Sequence, residues 1–442
     1  MPETSLGGTA ATLSALPLHL AGGDAVDALA YLIAAAADRL RVVDGAGGDP
    51  AAALRALQFR LALDTDLLGS AVQLRALRGL VARFGAACGF EPGPARVHAV
   101  TSARTLAQID PWSNLLRGSY QTLAAVLGGA DAITTLPFDA CAGRGSAMGR
   151  SIARNLHHVL AREAHLGAVV DPLGGAYAVE QRTADLEARA WERFRELERD
   201  GGVRRLLEPG VAEGWLEPAR VRRAELLARR AEPLLGVTQH VVLDPASPPA
   251  PDAPSERIGE RLGSERVAEL AGSTPLTERV PLASHRDAAP YEALRAATAA
   301  MDPVPKVFLA NLGRLRDHKA RAVFAADTLA VAGVASISGA GTPTVTGGAV
   351  VMQVAEQFRD SGSSIACVCG SDEAYAEHGI DVVRSLLAAG ASVVLLASKP
   401  LEDAGDWTSA GLTEFVHRGS NLLQLFERLR EALARTTEGV TR

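Results

Sequence analysis

The chain has 442 residues, a formal net charge of −6, a hydrophobic content of 48% and only 4% aromatic residues. This length predicts two or three domains with sizeable cores, and the scarcity of aromatic residues favours α/β or helical packing. The acidic balance argues against a nucleic-acid partner, because no basic surplus is available to displace phosphate counterions.

The four cysteines are too few and too scattered for a disulfide framework. Cys367 and Cys369 flank Val368 in an apolar run and are predicted to be small core residues of a strand; a CxC metal site is the alternative. No signal-peptide pattern begins the chain, and no apolar run reaches the ~20 residues that cross a bilayer. We therefore expect a soluble, cytoplasmic protein that does not insert into a membrane.

Residues 1–239 alternate helical runs with short apolar strands. Helices are predicted at residues 25–41, 66–87, 111–127, 145–163 and 179–200, and strands at residues 96–100, 131–136 and 168–170. This alternation predicts an α/β domain that resembles part of a (β/α)8 TIM barrel. Only about four or five strands are found where a closed barrel has eight. Either another polypeptide supplies the missing half, or the chain begins downstream of the true start.

Residues 240–303 are predicted to be a proline-rich linker, because five prolines fall within residues 245–254 and deny the backbone donors that helices and sheets need. Residues 304–442 return to strand–helix alternation. Their predicted strands are residues 306–309, 334–337, 365–369, 393–396 and 415–416. This (βα)5 pattern favours a doubly wound, flavodoxin-like domain whose crevice lies at the carboxyl ends of the strands.

Four strings in the first zone occur in the order and spacing of one enzyme family. They are residues 110–117 (DPWSNLLR), 127–131 (LGGAD), 151–155 (SIARN) and 170–180 (VDPLGGAYAVE). They resemble DPYNNVVR, LGGTQ, ARIARN and VDPLGGSYYVE of the methylmalonyl-CoA mutase family. Taken singly, each string has a structural alternative. The last one is good turn chemistry, and Asn114 and Arg117 could be ordinary helix-surface residues.

The resemblance implies a dry barrel in which adenosylcobalamin generates a radical and polar groups hold an acyl thioester. Most of these polar groups are missing. Leu16 and Pro17 stand where the family has the Tyr and His of SGYH, and Val100 replaces a Gln. Thr134, Leu136 and Ala140 likewise replace a His, an Asn and a Glu. No catalytic residue is therefore expected, and His98 is the one weak carry-over, either a ligand contact or a structural histidine.

The first turn of the third zone, residues 311–320 (NLGRLRDHKA), resembles the family's cobalamin-binding DxHxxG turn. Its three signature positions hold Leu315, Asp317 and Ala320, so no metal ligand is expected, and Asp317 is predicted to cap the following helix. In a shifted register His318 would be the cobalt ligand, but the position that should orient it would be an arginine. Gly419, after the fifth strand, retains the family's turn. Asp317, His318 and Gly419 are thus the degenerate cofactor-site positions.

The resemblance implies a small, non-catalytic subunit that stabilises a catalytic mutase subunit as a heterodimer, without ligating adenosylcobalamin itself. One alternative is a self-sufficient adenosylcobalamin-dependent acyl-CoA mutase. The other is a non-enzymatic flavodoxin-like binding or chaperone module.

Overall fold

The computed structural model describes residues 11–91, 93–142, 145–244, 282–343 and 347–440. The chain forms two compact units. The first consists of Met1–Arg223 with Ser247–Asp287, and the second of Ala224–Ala246 with Ala288–Arg442. The domain boundaries expected after residues 239 and 303 stay predictions.

The predicted linker, residues 240–303, is described only in part, and its proline cluster lies outside the described residues. Its C-terminal part contains the helix Ala289–Ala299, in which Pro290 occupies the first turn, where its missing N–H costs no hydrogen bond. The side chains of Tyr291 and Thr298 are buried. The linker prediction is therefore wrong for Ala289–Ala299, because these residues form a helix that packs with one side buried.

The first unit contains a four-stranded sheet in which all neighbouring strands are parallel. In the order β1-β2-β3-β4, the strands are β1 (Thr12–Ser14), β2 (Gln58–Leu63), β3 (Arg96–Thr101) and β4 (Ala132–Thr134). Strands that follow one another in the sheet, with helices between them, are typical of (β/α) repeats. The α/β class with parallel sheets is confirmed, and this unit fits the predicted TIM-barrel-like domain.

The helices of the first unit begin with α1 and end with α9, whose last residues belong to the second unit. They are α1 (Leu16–Leu20), α2 (Ala25–Gly45), α3 (Pro50–Ala56), α4 (Leu67–Ala87), α5 (Ser113–Leu127), α6 (Ala147–His158), α7 (Tyr177–Arg199), α8 (Gly202–Leu206) and α9 (Val211–Ala228). Leu61 and Val97, on one face of the sheet, are fully buried in a core shared with Leu32 of α2 and Leu74 of α4. The helices thus cover this face, and alternate residues of each strand point to the other face.

Helix α2 begins where hydrogen bonding and charge both favour a helix. The Asp24 carboxylate accepts hydrogen bonds from the N–H groups of Val26 (2.9 Å) and Asp27 (3.0 Å). In return, the Asp27 carboxylate accepts one from the N–H of Asp24 (3.3 Å). This reciprocal cap satisfies donors that the first helical turn leaves free. Most of the buried side chains of α2 are alanines, which lets α7 pack along it.

The strand predicted at residues 168–170 is wrong. Leu166–Ala168 form a 3-10 turn, and Val169 and Val170 are exposed, Val170 to 96%. A run of three apolar residues is too short for periodicity to decide its conformation. The other helices and strands predicted in the first zone are confirmed, whereas β1 and β2 had not been assigned.

The second unit contains a five-stranded parallel sheet in the order β6-β5-β7-β8-β9. Its strands are β5 (Lys306–Asn311), β6 (Ala335–Ser338), β7 (Ile365–Cys369), β8 (Val393–Leu396) and β9 (Glu414–Phe415). All five lie close to the predicted positions, and these strands are confirmed. Near-continuous apolar runs such as β7 and β8 are typical of parallel strands that are covered on both faces.

Helices follow the strands of the second unit as predicted. With the helix before β5 included, they are α10 (Ala289–Ala299), α11 (Leu315–Ala330), α12 (Gly348–Ser361), α13 (Asp372–Ala374), α14 (Ile380–Ala388), α15 (Ala404–Ser409) and α16 (Leu422–Val440). In the part of the chain that the structure describes, no helix is both long and apolar enough to span a membrane.

The two cysteines of β7 are core residues, as predicted. Cys367 and Cys369 are both fully buried. The neighbouring Cys367, together with burial, raises the pKa of the Cys369 thiol well above its usual range. Both residues are free thiols that serve as small apolar side chains.

The carboxyl of Asp27 makes the packing of α2 testable through pH. Burial raises the pKa of Asp27 to about 6; Asp24 adds to this rise, and Arg193 opposes it. Because the pKa in the unfolded chain is about 3.9, ionisation of this group disfavours the folded state. The stabilising effect of its protonated form is complete below pH ~4 and is lost as pH rises to ~6, so the free energy of unfolding should fall over this range.

We expect Asp27→Asn to flatten this pH dependence by up to about 3 kcal/mol, since the two pKa values differ by about two units. Urea unfolding at several pH values between 4 and 7 measures the effect. Asp38→Asn, on the same helix and paired with Arg204 nearer the surface, serves as the control and should keep the wild-type slope. An unchanged slope in Asp27→Asn would contradict the prediction.

Candidate functional site

The carboxyl ends of parallel strands are where α/β proteins usually carry their functional groups. A polar cluster stands at this edge of the first sheet. We call it the Arg104 cluster, and its members are His19, Asp64, Ser102, Arg104, Arg223 and Asp287. The first four follow β1, β2 and β3 along the chain, and the last two come from α9 and from the segment before α10.

Arg104 lies at the centre of the cluster and is 97% buried, with 3% of its surface exposed. One terminal nitrogen donates to the backbone oxygens of His19 (3.0 Å) and Gly23 (2.9 Å), and the other donates to the Asp64 carboxylate (2.8 Å). A buried guanidinium needs such partners, because an unpaired charge in a low-dielectric interior is strongly unfavourable. Arg104 therefore ties together the loops that follow β1, β2 and β3.

Arg223 extends this network to the segment before α10. Its terminal nitrogens lie 2.9 Å from an Asp64 oxygen and 2.6 Å from an Asp287 oxygen. The N–H of Asp287 also donates to the backbone oxygen of Arg104 (3.0 Å). Burial alone would raise the pKa of Asp64, but Arg223 and then Arg104 hold it well below its usual range. Two arginines and two aspartates thus balance each other at the edge of the sheet.

A serine–histidine pair lies inside the cluster. His19 Nε2 is 2.6 Å from the Ser102 hydroxyl oxygen, which also accepts the N–H of Arg104 (3.1 Å). Such a pair can generate a nucleophile when substrate reaches the serine. Here Ser102 is only 1% exposed, and burial, followed by the charge of Arg104, lowers the pKa of His19 well below its usual range. The pair is therefore a neutral, enclosed contact that holds the loops together.

Residues 110–117 form hydrogen bonds that hold loops at the same edge of the first sheet. Asn114 and Arg117 are buried, so the alternative that they are helix-surface residues is wrong. The Asn114 amide donates to the backbone oxygens of Ala107 (2.8 Å) and Phe138 (2.7 Å), and Arg117 donates to the Asn114 side-chain oxygen (2.7 Å). These bonds join the loops that follow β3 and β4.

Residues 170–180 contain a turn that ion pairs and a hydrogen bond hold in place. Arg75, on α4, forms ion pairs with the carboxylates of Asp171 and Glu180. Glu180 also accepts the N–H of Gly175 (3.0 Å), a residue whose positive φ of 75° suits glycine. These contacts support the structural alternative for this string, in which its residues form a turn.

His98, the predicted carry-over, lies on the sheet face opposite α2 and α4. Arg60 Nε donates to His98 Nδ1 (3.1 Å), so the ring proton is on Nε2, which donates to the Thr134 hydroxyl (2.8 Å). Burial and the charge of Arg60 both lower the pKa of His98. The ring is therefore neutral near pH 7 and has a protein partner on each nitrogen. A ligand contact at His98 stays a prediction.

The first turn of the second unit holds the degenerate cofactor positions. Gly313 has a positive φ of 74°, and the Asp317 carboxylate accepts the N–H of Arg314 (2.8 Å) at the start of α11. Asp317 thus caps the helix in the way the sequence predicts. Leu315 and Ala320, the other two signature positions, are exposed on the helix surface.

His318 and Gly419 lie at the same edge of the second sheet. His318 is 5% exposed, and its Nδ1 is 3.3 Å from the backbone oxygen of Leu312. Arg316, which stands at the orienting position in the shifted register and cannot accept a hydrogen bond there, is exposed and pairs with Asp317. Gly419 has a φ of 94°, which explains the glycine after β9. In the described ranges, no group of three or more His, Cys, Asp or Glu side chains could hold a metal ion.

Arg321, on α11, and Tyr375 contact each other beside the turn that follows β7. The Arg321 guanidinium lies 4.7 Å from the centre of the Tyr375 ring, donates to the backbone oxygen of Gly370 (2.7 Å) and pairs with Asp372. The Tyr375 hydroxyl accepts the N–H of Gly370 (3.1 Å). The arginine that lies over the turn at Gly370 was not predicted from the sequence.

The sequence also did not single out the Arg104 cluster. One signal was available, because Asp64 directly follows the apolar end of β2, where a charged residue reaches the carboxyl edge. Its partners Arg223 and Asp287 are far away in the chain and belong to no recognisable spacing. Only the folded structure brings them together.

Removing the central guanidinium should weaken the first unit strongly. We expect Arg104→Met to lower the free energy of unfolding by about 3 kcal/mol or more, because Asp64 and two backbone oxygens would lose their buried partner. Urea unfolding measures the change. Arg205→Met, which breaks an exposed pair with Glu208, is the matched control and should cost less than about 1 kcal/mol. Equal effects of the two variants would refute a structural role for the cluster.

Comparison with known proteins gives a consistent family. The sequence profile of the family described as Methylmalonyl-CoA mutase matches residues 9–277, more than half of the chain. A Streptomyces virginiae protein named methylmalonyl-CoA mutase small subunit is 36% identical over 407 residues, covering 91% of this chain and 62% of that protein. The protein of the same name from Propionibacterium freudenreichii subsp. shermanii is 34% identical over 403 residues, covering 90% of this chain and 58% of that protein.

A Rhizobium meliloti protein named methylmalonyl-CoA mutase is 33% identical over 219 residues, covering 48% of this chain and 29% of that protein. The chain thus spans less than two thirds of the length of these relatives. The profile match and the similarity to the small subunits, which extends over both units, agree with the four sequence strings. The chain belongs to the methylmalonyl-CoA mutase family.

Proposed function

We propose that the chain is a small, non-catalytic subunit that stabilises a catalytic mutase chain, which interconverts methylmalonyl-CoA and succinyl-CoA by a radical rearrangement. The relatives named as small subunits support this assignment. The observation that carries it is the Arg104 cluster, which fills the carboxyl edge of the first sheet with mutually paired charges. A cytoplasmic location, expected from the sequence, belongs to the same proposal.

The residues around the first sheet offer little to a thioester. An enzyme that rearranges an acyl-CoA has to orient its carbonyl with polar groups and keep water away. Leu16 and Pro17 form the first turn of α1, and Val100 is half-buried on β3. Because all three side chains are apolar, none of them can form a hydrogen bond. Polar side chains do exist nearby, but His19 and Ser102 are enclosed against each other. These contacts favour a structural role for this edge.

We further propose that the second unit is a degenerate flavodoxin-like, cobalamin-binding-type domain. Its strand order β6-β5-β7-β8-β9 corresponds to the order 2-1-3-4-5 of that fold, in which ligands bind at the switch point between the first and third strands. That point lies between β5 and β7, and Arg321, which donates to the Gly370 oxygen after β7 and packs on the Tyr375 ring, stands beside it. The residues present therefore do not fit adenosylcobalamin, and no chemical step of this chain involves it.

Under this proposal, the chain contributes a rigid surface that binds the catalytic chain. The Arg104 cluster fixes three loops of the first unit, and the Arg321–Tyr375 contact fixes two turns of the second. A partner that binds a rigid surface loses less conformational entropy than one that must first order it. Stabilisation of a catalytic chain then follows from binding alone, because any ligand of the folded state raises the free energy of unfolding.

Co-purification with a catalytic mutase chain tests the subunit assignment. We expect one complex on size-exclusion chromatography and a rise of several degrees in the thermal midpoint of the catalytic chain, since the complex binds only the folded state. The Rhizobium meliloti relative, which carries no subunit designation, serves as the control for unspecific pairing within the family. No complex and no stabilisation would refute the assignment, and would favour a stand-alone binding module.

Cobalamin uptake tests the second unit. We expect the purified chain to take up no cobalamin, and we expect the same of Leu315→Asp/Asp317→His/Ala320→Gly, which restores the DxHxxG residues, because Arg321 still lies beside the switch point, bonded to Gly370 and packed on Tyr375. Adding Arg321→Gly to the triple variant removes one of these obstacles and should raise uptake. Absorbance of cobalamin that co-elutes with protein is the measurement. Uptake by the wild-type chain with imidazole ligation would support a self-sufficient mutase instead.

A further inference from the structure

A pocket lies at the amino-terminal edge of the second sheet, opposite the edge that carries the degenerate cofactor positions. Val307 on β5, Val334 just before β6 and Ile365 at the start of β7 line it, and all three are buried. Its empty volume is about 530 Å³, part of which is open to solvent. This size is typical of pockets that bind small molecules.

Two helices form the walls of the pocket. The lining residues on each wall recur at helical spacing, at positions 294, 297, 298 and 301 on α10 and just after it, and at positions 426, 429, 430 and 433 on α16. Ala297 and Thr298, together with Ala332 after α11, have short side chains. The space between the two helices therefore lies where small residues keep the facing stripes from closing on each other.

The lining of the pocket is apolar apart from two side chains, Thr298 and Arg430, among the residues that the structure describes. The Thr298 hydroxyl already donates to the backbone oxygen of Leu294 (3.1 Å). A bound water needs two or more polar partners, and a sugar or nucleotide needs several, so this lining favours an apolar occupant.

Arg430 places a positive charge at the mouth of the pocket. Its side chain is exposed, and it has no side-chain hydrogen bond or ion pair in the described part of the chain. Glu427, one turn earlier on α16, does not pair with it. A guanidinium with free donors beside an apolar pocket is suited to a carboxylate that is attached to an apolar tail.

We propose that this pocket binds a free medium-chain fatty acid, whose tail fills the space between α10 and α16 and whose carboxylate pairs with Arg430. Burial of the methylene groups would supply most of the affinity. The carboxylate would stay at the mouth, where it keeps contact with water and costs little desolvation. The inference goes beyond the proposed function and does not depend on it.

Equilibrium dialysis of the full chain against labelled octanoate tests the proposal. We expect saturable binding of one molecule per chain, and hexanoate should bind about tenfold more weakly because it buries two fewer methylene groups. The absence of saturable binding, or equal affinity for octanoate and the uncharged 1-octanol, would overturn the proposal. A dimer in size-exclusion chromatography with light scattering that Ala297→Phe dissociates would overturn it in favour of a second copy of the chain.

Two variants locate the site. Ala297→Phe should weaken octanoate binding at least about tenfold, because the ring takes up the space of the tail. Arg430→Gln should weaken it about fivefold and leave 1-octanol binding unchanged, since only the ion pair is lost. The matched controls, Ala296→Phe on the exposed side of α10 and Arg359→Gln on α12, should bind as wild type.

Circular dichroism and thermal midpoints verify that the variants are folded. Wild-type affinity for octanoate in both Ala297→Phe and Arg430→Gln would overturn the proposal, and so would an equal loss of affinity in the two control variants.

Discussion

The pairing of a buried guanidinium is the constraint on which the first unit depends. Arg104 cannot stay charged in the interior without acceptors, and it finds them in two backbone oxygens and in Asp64. Asp64 in turn needs Arg223, and Arg223 holds Asp287. Each member would be unfavourable alone, so the cluster is present as a whole or not at all. That interdependence fixes the loops after β1, β2 and β3.

In both units, side chains pack against one another at the carboxyl ends of the strands, but the chemistry of these contacts differs. In the first, paired charges fill the edge of the sheet. In the second, the Arg321 guanidinium stacks on the Tyr375 ring beside the turn that follows β7. Both arrangements pair most of their charged and polar side-chain groups with partners inside the same unit.

The sequence predicted the second unit better than the first. Strands such as β7 and β8 are continuous apolar runs, and their period and flanking turns leave little ambiguity. The strand β2 was not predicted from the sequence, because Gln58 and Arg60 interrupt its apolar residues. Such interruption is typical of a strand with one less buried face. The apolar run ending at Val170 misled because three residues carry no period. The four strings predicted the family, which the comparisons confirm, but the Arg104 cluster depends on contacts between distant segments, which no local pattern encodes.

The buried thiols of β7 give the second unit a built-in reporter. Cys367 and Cys369 are fully buried, whereas the other two cysteines, Cys88 and Cys141, belong to the first unit. A thiol-specific reagent modifies only thiolates it can reach, and the Cys369 thiol is both enclosed and held in its protonated form. Labelling of Cys367 and Cys369 therefore proceeds only when the second unit opens. Peptide-resolved alkylation of Cys367 and Cys369 can therefore follow the opening of the second unit within the intact chain.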